Sequence, residues 1–386
     1  MEQELISNKR IAIIGAGPAG CICAKFLKDF GLEVFIFEKD KPLKTLLPTG
    51  GGKCNLAHAE FDFKQLAKNY PRGEKFLYSV FSRFCTGDTI EFFDSIGVES
   101  YIREDNRIFP VSNSSKDVRE KFLKSLKGVN FIRGKCISIM SNGNSYVIKT
   151  DKSTYLFDIV VVASGGVKEN SFKNLEINIV EPTQSLVGLV TEKNFVQLAG
   201  VSLRGVMCDG LKGDILFTHK GISGPLIYTL SSIYARRKFP YDLSLKLVED
   251  IDLQTLLNEN SNKEIKNLIG QIVPKSFANF LLEDIGLAAE TPCHKINGAI
   301  RNKISEALSN FVITVTGKSP EGEIVTCGGV DLDEINSKTM ESKKYKNLYF
   351  CGEVIDVDGF CGGFNLQNCW STGFVAANGI IQSLTI

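Results

Sequence analysis

The stretch from Arg10 to Glu38, RIAIIGAGPAGCICAKFLKDFGLEVFIFE, constrains this chain more than any other. The apolar run Ile11–Ile14 reads as a strand, and Gly15, Gly17 and Gly20 form a G-x-G-x-x-G turn directly after it. A helix and a second strand ending in an acid complete the unit. Gly15 permits the tight turn, the bare backbone of Gly17 admits a pyrophosphate, and Gly20 lets the helix pack close to the sheet. The helix that starts beside Ala16, Pro18 and Ala19 turns its free N–H groups and positive dipole end toward the phosphates. Glu38, with Lys39 beside it, stands where a carboxylate accepts both ribose hydroxyls of an adenosine. A G-x-G-x-x-G alone is a weak signal. The strand before it, the helix after it and the acid at this distance make it a dinucleotide site.

The chain has 386 residues, enough for two or three domains, and is 43% hydrophobic, which fits a globular enzyme. Basic and acidic residues number 45 and 44, so no global field recruits nucleic acid or membrane. Met1-Glu2-Gln3-Glu4 is acidic and lacks the basic start of a signal peptide. No apolar run reaches the roughly 20 residues a membrane helix needs. The expectation is a cytoplasmic protein with no membrane partner. Eleven irregularly spaced cysteines without a C-x-x-C pair read as reduced packing thiols. His58, His219 and His294 are scattered, so no metal is expected.

Along the chain, Lys64–Phe93 and Ser114–Leu126 read as helical. Phe131–Ile139, Ser145–Thr150 and Tyr155–Ala163 read as strands, the last leading into Ser164-Gly165-Gly166. Past Glu181-Pro182 come short strand-like runs at Leu186–Val190, Gly205–Cys208 and Asp214–Thr218. Leu253–Leu287 and Thr291–Asn310 follow as helical stretches and Phe311–Val315 as a strand. Rossmann-like character returns near Glu323, and a final helix covers about Leu366–Ser383. The fold class expected is therefore α/β: a discontinuous Rossmann-like domain with an inserted β-rich plus helical domain. Its parts are residues 1–181, the insertion 182–322 (β-rich 182–248, helical 249–310) and residues 323–386.

The late return narrows the dinucleotide. Asn347–Glu353 is a strand ending in Gly352-Glu353, and Gly362-Gly363 opens the last helix. A nicotinamide dehydrogenase has no need of this second element. A flavoprotein uses such an acid on the ribityl chain of FAD, and unpaired helix-start amides near the pyrimidine carbonyls of the flavin. Taken alone, Gly362-Gly363 also reads as a plain loop before a core helix.

At this point the chain resembles the FAD-binding family of aminoacetone oxidase-like and NAD(P)/FAD-dependent oxidoreductases. That family includes bile-acid dienone reductases and a ribosomal-RNA dihydrouridine synthase. The resemblance rests on GAGPAG; Thr49–Asn55 (TGGGKCN); Arg107–Ser112 (RIFPVS); Leu216–Pro225 (LFTHKGISGP); Cys327–Val330; Thr339–Lys343; Gly352–Gly359 (GEVIDVDG); and Gly362–Gln367 (GGFNLQ). It spans nearly the whole chain. Lys53 replaces the usual Arg, Phe364 the usual Tyr, and Ser164 the Thr of an Ala-Thr-Gly-Gly pattern. The insertion is shorter than usual. The resemblance implies that FAD is held by the first glycine motif with Glu38 and Lys39, by Gly51, Gly52, Lys53, Cys54 and Asn55, by Ala163, Ser164 and Gly165, by Gly352 and Glu353, and by Gly362, Gly363, Phe364, Asn365 and Leu366.

Several of these residues have plainer readings. Lys53 reads also as a solvated lysine on a flexible loop, and Cys54 as a packing residue. Arg107 either orients an anionic or carbonyl substrate or is a surface arginine on a turn. His219 either donates a proton to substrate or packs the insertion. Ser223 fits an N-cap before Pro225, and Asp356 or Asn365 a cap on the last helix.

The leading functional expectation is a flavin oxidoreductase reducing an electron-poor C=C bond of a small molecule, with His219 and Arg107 as catalytic candidates. The sequence carries one G-x-G-x-x-G, so NADH or NADPH would dock transiently as donor. The alternatives are an amine oxidase using O2 and a flavin-dependent enzyme reducing uridine in ribosomal RNA. Near-neutral charge weighs lightly against the RNA reading.

Overall fold

The structure is a computed structural model in which residues 9–167, 171–249, 251–319 and 325–385 are described. The acidic start Met1–Glu4 and the transition near Glu323 lie outside the described residues. The chain divides into two compact units, Met1–Thr183 with Val325–Ile386, and Gln184–Ile324.

The first unit is built on strands β1 (Arg10–Ile14), β2 (Glu33–Glu38), β3 (Asn130–Arg133), β4 (Ile159–Val162) and β5 (Leu348–Phe350). They form one sheet in the order β5-β4-β1-β2-β3, and every neighbouring pair is parallel. A parallel sheet is covered on both faces, so its central strands are apolar throughout rather than alternating. Ile11–Ile14 and Ile159–Val162 are accordingly buried. From β1 the chain builds outward through β2 and β3 on one side, and returns through β4 and β5 on the other. The carboxyl end of β1 is thus a switch point of the topology, where open α/β sheets hold their ligands.

Two helices cross against this sheet, α1 (Pro18–Asp29) and α2 (Phe364–Thr385). Their contact is backbone-close. A Cβ on Gly373 of α2 would lie 2.4 Å from the carbonyl oxygen of Ala19 and 2.5 Å from Cγ2 of Ile22. Trp370 is fully buried on α2, and its indole N–H donates to the Leu56 carbonyl at 2.9 Å. Two small antiparallel sheets also belong to this unit. One joins Ala57–His58, Arg107–Pro110 and Ser100–Ile102, and the other Cys136–Asn142, Ser145–Thr150 and Thr154–Phe157.

Two expected strands are each split between sheets. Phe131–Ile139 breaks at Gly134, whose N–H donates to the Glu38 carbonyl at 3.0 Å and ends the parallel ladder. Lys135 then turns its N–H to the Asp151 carboxylate at 2.8 Å and starts the antiparallel one. Tyr155–Ala163 breaks at Asp158, whose carboxylate accepts the Arg10 N–H at 2.9 Å while its own N–H donates to the Arg10 carbonyl at 3.1 Å. In both cases a tertiary hydrogen bond overrides a continuous apolar pattern. The eleven cysteines are free.

The second unit is a six-stranded sheet in the order Ser202–Cys208, Leu211–Thr218, Gly221–Ser223, Leu189–Thr191, Phe311–Lys318, Tyr241–Leu245. Its pairings are antiparallel. Its own core gathers Phe195, Phe217, Phe277, Phe280 and Phe311 beneath the helices at Leu253–Glu259, Ile265–Ile269, Lys275–Asp284 and Gly298–Ser309. Ser223 is not a cap. It ends a strand, and the helix Pro225–Ile233 is entered from Gly224 at φ +104° without a side-chain cap. Among the described residues no helix is long and apolar enough to cross a membrane.

The α1–α2 crossing yields a stability prediction. Gly373→Ala forces two close-packed backbones apart and should cost about 1–3 kcal/mol. A thermal midpoint equal to that of the wild type would contradict the contact.

Candidate functional site

The turn after β1 has two closed faces and one open one. Gly15 sits at φ +106°, and a Cβ there would lie 2.4 Å from the Ala163 carbonyl oxygen. A Cβ on Gly20 would lie 2.0 Å from the Gly15 carbonyl oxygen. Gly17 differs, because a Cβ there would meet nothing within 4 Å. The space over Gly17 is therefore free for a ligand. The Cys21 N–H donates to the Gly17 carbonyl at 3.0 Å as the first regular bond of α1, and Pro18 brings no N–H. The helix start, with no side-chain cap at Gly17, keeps its positive end for an anion.

Glu38 is held by backbone amides. Its Oε2 accepts from Ala16 at 2.8 Å and its Oε1 from Asp40 at 2.7 Å. Each oxygen keeps a second lone pair for a hydroxyl donor. Glu38, Lys39, Gly15 and Ser164 line a cleft of about 260 Å³, together with Cys136 and Ser171. Burial pushes the Cys136 thiol up to about 11. A hydrogen bond with the buried Ser171 hydroxyl acts the other way.

The end of β5 meets the same edge. Gly352, at φ +76°, lies so close to α1 that a Cβ would fall 2.7 Å from that of Ala19. Its N–H donates to the Thr372 hydroxyl at 2.9 Å. The Glu353 carboxylate accepts the Thr326 N–H at 2.7 Å, and a Cβ on Gly166 would come within 3.1 Å of the same oxygen. Ala163, Ser164 and Gly165 leave β4 between these groups. Thus residues from both ends of the chain converge on one edge of the sheet.

A second group gathers where α2 begins. Gly363, at φ +103°, packs on Ala57, where a Cβ would lie 2.5 Å from the backbone carbonyl. His58 Nδ1 is 3.2 Å from the Gly362 carbonyl oxygen, and its ring stacks on Phe364 at 4.5 Å. The Phe364 carbonyl accepts the Tyr70 hydroxyl at 2.6 Å. Asn365 caps nothing. Its side chain exchanges two 2.9 Å bonds with Gly359 and clamps the loop. Leu366 is half-buried beside it. Asp356 is buried in the loop ahead of α2. Asp358, fully buried, pairs with Arg72 through two guanidinium contacts, Nη2 at 2.6 Å.

In the glycine loop, Gly51, Gly52 and Lys53 are exposed, whereas Cys54 and Asn55 are buried. The Cys54 thiol is raised to about 11 by burial, against a lowering hydrogen bond with Thr49. Asn55 Oδ1 is buried without a partner among the described residues. Open space over Gly17 and an unpartnered buried amide oxygen at Asn55 are what a protein built around an extended polar cofactor shows without it. The residues present fit FAD.

Arg107 and His219 belong to different units. Arg107 is half-buried on the strand beside His58. His219 is exposed at the tip of a hairpin whose last pair is Thr218 with Gly221. Packing of the insertion is therefore not its role. Sequence reasoning missed His58, which it counted only as one of three scattered histidines, although it lies three residues past Asn55. It also missed Cys136 and Ser171 in the cleft and the Arg72–Asp358 pair. Among the described residues no cluster of metal-ligating side chains occurs.

A Rossmann sheet with this cradle defines a dinucleotide-dependent enzyme, and comparison places it more closely. The chain belongs to the family described as HI0933-like protein Rossmann domain, which matches residues 9–379; it is an FAD-dependent oxidoreductase. It is 27% identical to a ribosomal RNA dihydrouridine synthase of Escherichia coli K12, over 96% of this chain and 98% of that one. It is also 27% identical to a 3-dehydro-bile acid delta(4,6)-reductase of Clostridium scindens, over 95% of this chain and 98% of that one. Its fold resembles 3-ketosteroid delta1-dehydrogenase of Sterolibacterium denitrificans, with a TM-score of 0.52 and 13% identity over 97% of this chain and all of that one.

Two predictions follow from this geometry. Glu38→Ala removes a charged acceptor and unties the Ala16 amide, so FAD affinity should fall about tenfold or more. An unchanged dissociation constant in a folded variant would remove Glu38 from the site. Burial, and secondarily the charge of Arg107, hold His58 below its usual 6.5, while the Gly362 carbonyl, Glu60 and Asp105 pull the other way. The unfolded chain then takes up this proton first. The stability tied to the neutral ring is present above about pH 6.5 and is lost as pH falls from there through the folded value. His58→Gln should flatten that part of the stability–pH curve, and parallel curves for both proteins would refute it.

Proposed function

We propose that this flavoenzyme reduces an electron-poor C=C bond conjugated to a carbonyl in a small molecule, with NADH or NADPH docking transiently as donor. One observation carries this reading. Two full-length relatives with different substrates are named a delta(4,6)-reductase and a dihydrouridine synthase, and both names denote saturation of a conjugated double bond. Bound FAD supplies the hydride chemistry.

The chain's own residues supply the rest. The turn Gly15–Gly20 and Glu38 would hold the adenosine diphosphate part, and Glu353 would accept hydroxyls of the ribityl chain. Gly362-Gly363 at the positive end of α2 would hold the pyrimidine side of the flavin. Gly51, Gly52, Lys53, Cys54 and Asn55 would complete the flavin's binding site. Arg107 orients the substrate carbonyl, and His219 donates the proton that completes reduction. A uridine in RNA presents the same conjugated system, and the Escherichia coli relative favours it as a second substrate class. The same reading makes the protein cytoplasmic.

The test is anaerobic reduction of the holoprotein with NADH and NADPH, then reoxidation by enones, uridine-containing RNA or oxygen in stopped flow. Reoxidation by an enone or RNA should outpace oxygen. Fast reoxidation by oxygen with amine-dependent peroxide would instead establish an amine oxidase. His219→Gln should keep flavin, stability and the reductive half-reaction, while slowing the oxidative one by ~10²–10⁴-fold. Equal oxidative rates would end the catalytic role of His219.

A further inference from the structure

His58 ends the short strand Ala57–His58, and its register partner on the antiparallel neighbour is Arg107. Directly opposed residues share a face, with Cβ atoms about 4.5–5.5 Å apart. The imidazole makes one hydrogen bond among the described residues, from Nδ1 to the Gly362 carbonyl at 3.2 Å. A carbonyl oxygen only accepts, so Nδ1 carries the proton. Burial and Arg107 keep the ring neutral near pH 7. A neutral imidazole protonated at Nδ1 presents a bare lone pair at Nε2.

Arg107 is the complement. Its guanidinium only donates, and Asp105 approaches no closer than 3.6 Å. Its charge also bears on Cys361, the residue before Gly362, whose thiol burial raises and Arg107 lowers. As a residue Cys361 is exposed, which gives an alkylating reagent access, although the protein packed about its sulfur raises the thiol. A side-chain acceptor and a side-chain donor therefore stand side by side at the mouth of the loop that opens α2. Such a couple suits neither a carboxylate nor a phosphate, whose lone pairs would face that of Nε2. It suits a ring edge that offers N–H beside C=O.

We propose that His58 and Arg107 together read a cyclic imide or lactam edge, Nε2 of His58 accepting from the ring N–H and Arg107 donating to the adjacent carbonyl oxygen. The proposal rests on the flavin reading of this site. Two molecules bring the edge: the pyrimidine ring of the flavin itself, and a uracil substrate ring.

Methylation of ring N3 tests it in two arms. In the first, apoprotein is titrated with FAD and with FAD methylated at flavin N3, followed by visible absorbance. In the second, the holoprotein is alkylated at Cys361 by iodoacetamide with 1-methyluracil or 1,3-dimethyluracil present, and the labelled peptide is quantified by mass. Methylation should weaken binding about tenfold or more in one arm, and that arm names the source of the edge. His58→Phe keeps the crowding but lacks the acceptor, so the methylated and unmethylated ligands should bind it alike. His58→Gln restores an acceptor and should recover part of the discrimination. Insensitivity to N3 methylation in both arms, in protein that binds FAD, overturns the proposal, as does discrimination that persists in His58→Phe. Failure to bind FAD in any form overturns the cofactor reading and this inference with it.

Discussion

The backbone around Ala19 is where the two ends of the chain are pressed together. Gly352 brings the end of β5 against the Ala19 side chain, and Gly373 brings α2 against its carbonyl. No residue with a Cβ fits either position without displacing backbone, because packed interiors have no slack at that distance. The consequence is chemical. The helix start at Gly17 and the acid that follows β5 are held in one rigid arrangement, although most of the chain separates them. A site built this way is preorganised, so the cofactor meets donors and acceptors already in place.

What remains unsatisfied shows what the arrangement is for. Glu38 is pinned by the amides of Ala16 and Asp40, which fixes its orientation and leaves lone pairs outward. Asn55 keeps a buried amide oxygen without a partner among the described residues. A buried hydroxyl or amide oxygen left unpaired costs about 1–3 kcal/mol, a burden a fold carries where a bound group relieves it. The buried Arg72–Asp358 pair works differently. It holds the loop before α2 in one conformation, and breaking such a pair strands a charge in the interior.

The parts legible in the sequence are those whose requirements are local. The first glycine turn, the strand–Gly–acid at Gly352-Glu353 and the last helix each declare themselves within a few residues. The parts that were not legible depend on partners far along the chain. Gly134 and Asp158 divide apolar runs because Glu38 and Arg10 take their hydrogen bonds. His58 looked isolated because its meaning comes from Arg107 and Gly362, which only the folded chain brings beside it. Ser223 read as a cap until the Gly221–Ser223 strand claimed it. The six-stranded order of the second unit, which sets Tyr241–Leu245 beside Phe311–Lys318, has no signature shorter than the whole unit.

The central claim is that the cradle formed by Gly15–Gly20, Glu38 and Gly352-Glu353 holds FAD. The most direct measurement is to purify the protein, denature it, and identify what is released by absorbance and mass. The account predicts a yellow protein that releases FAD in about equimolar amount, since one cradle holds one dinucleotide. Well-folded protein that releases FMN, or only NAD, would contradict it.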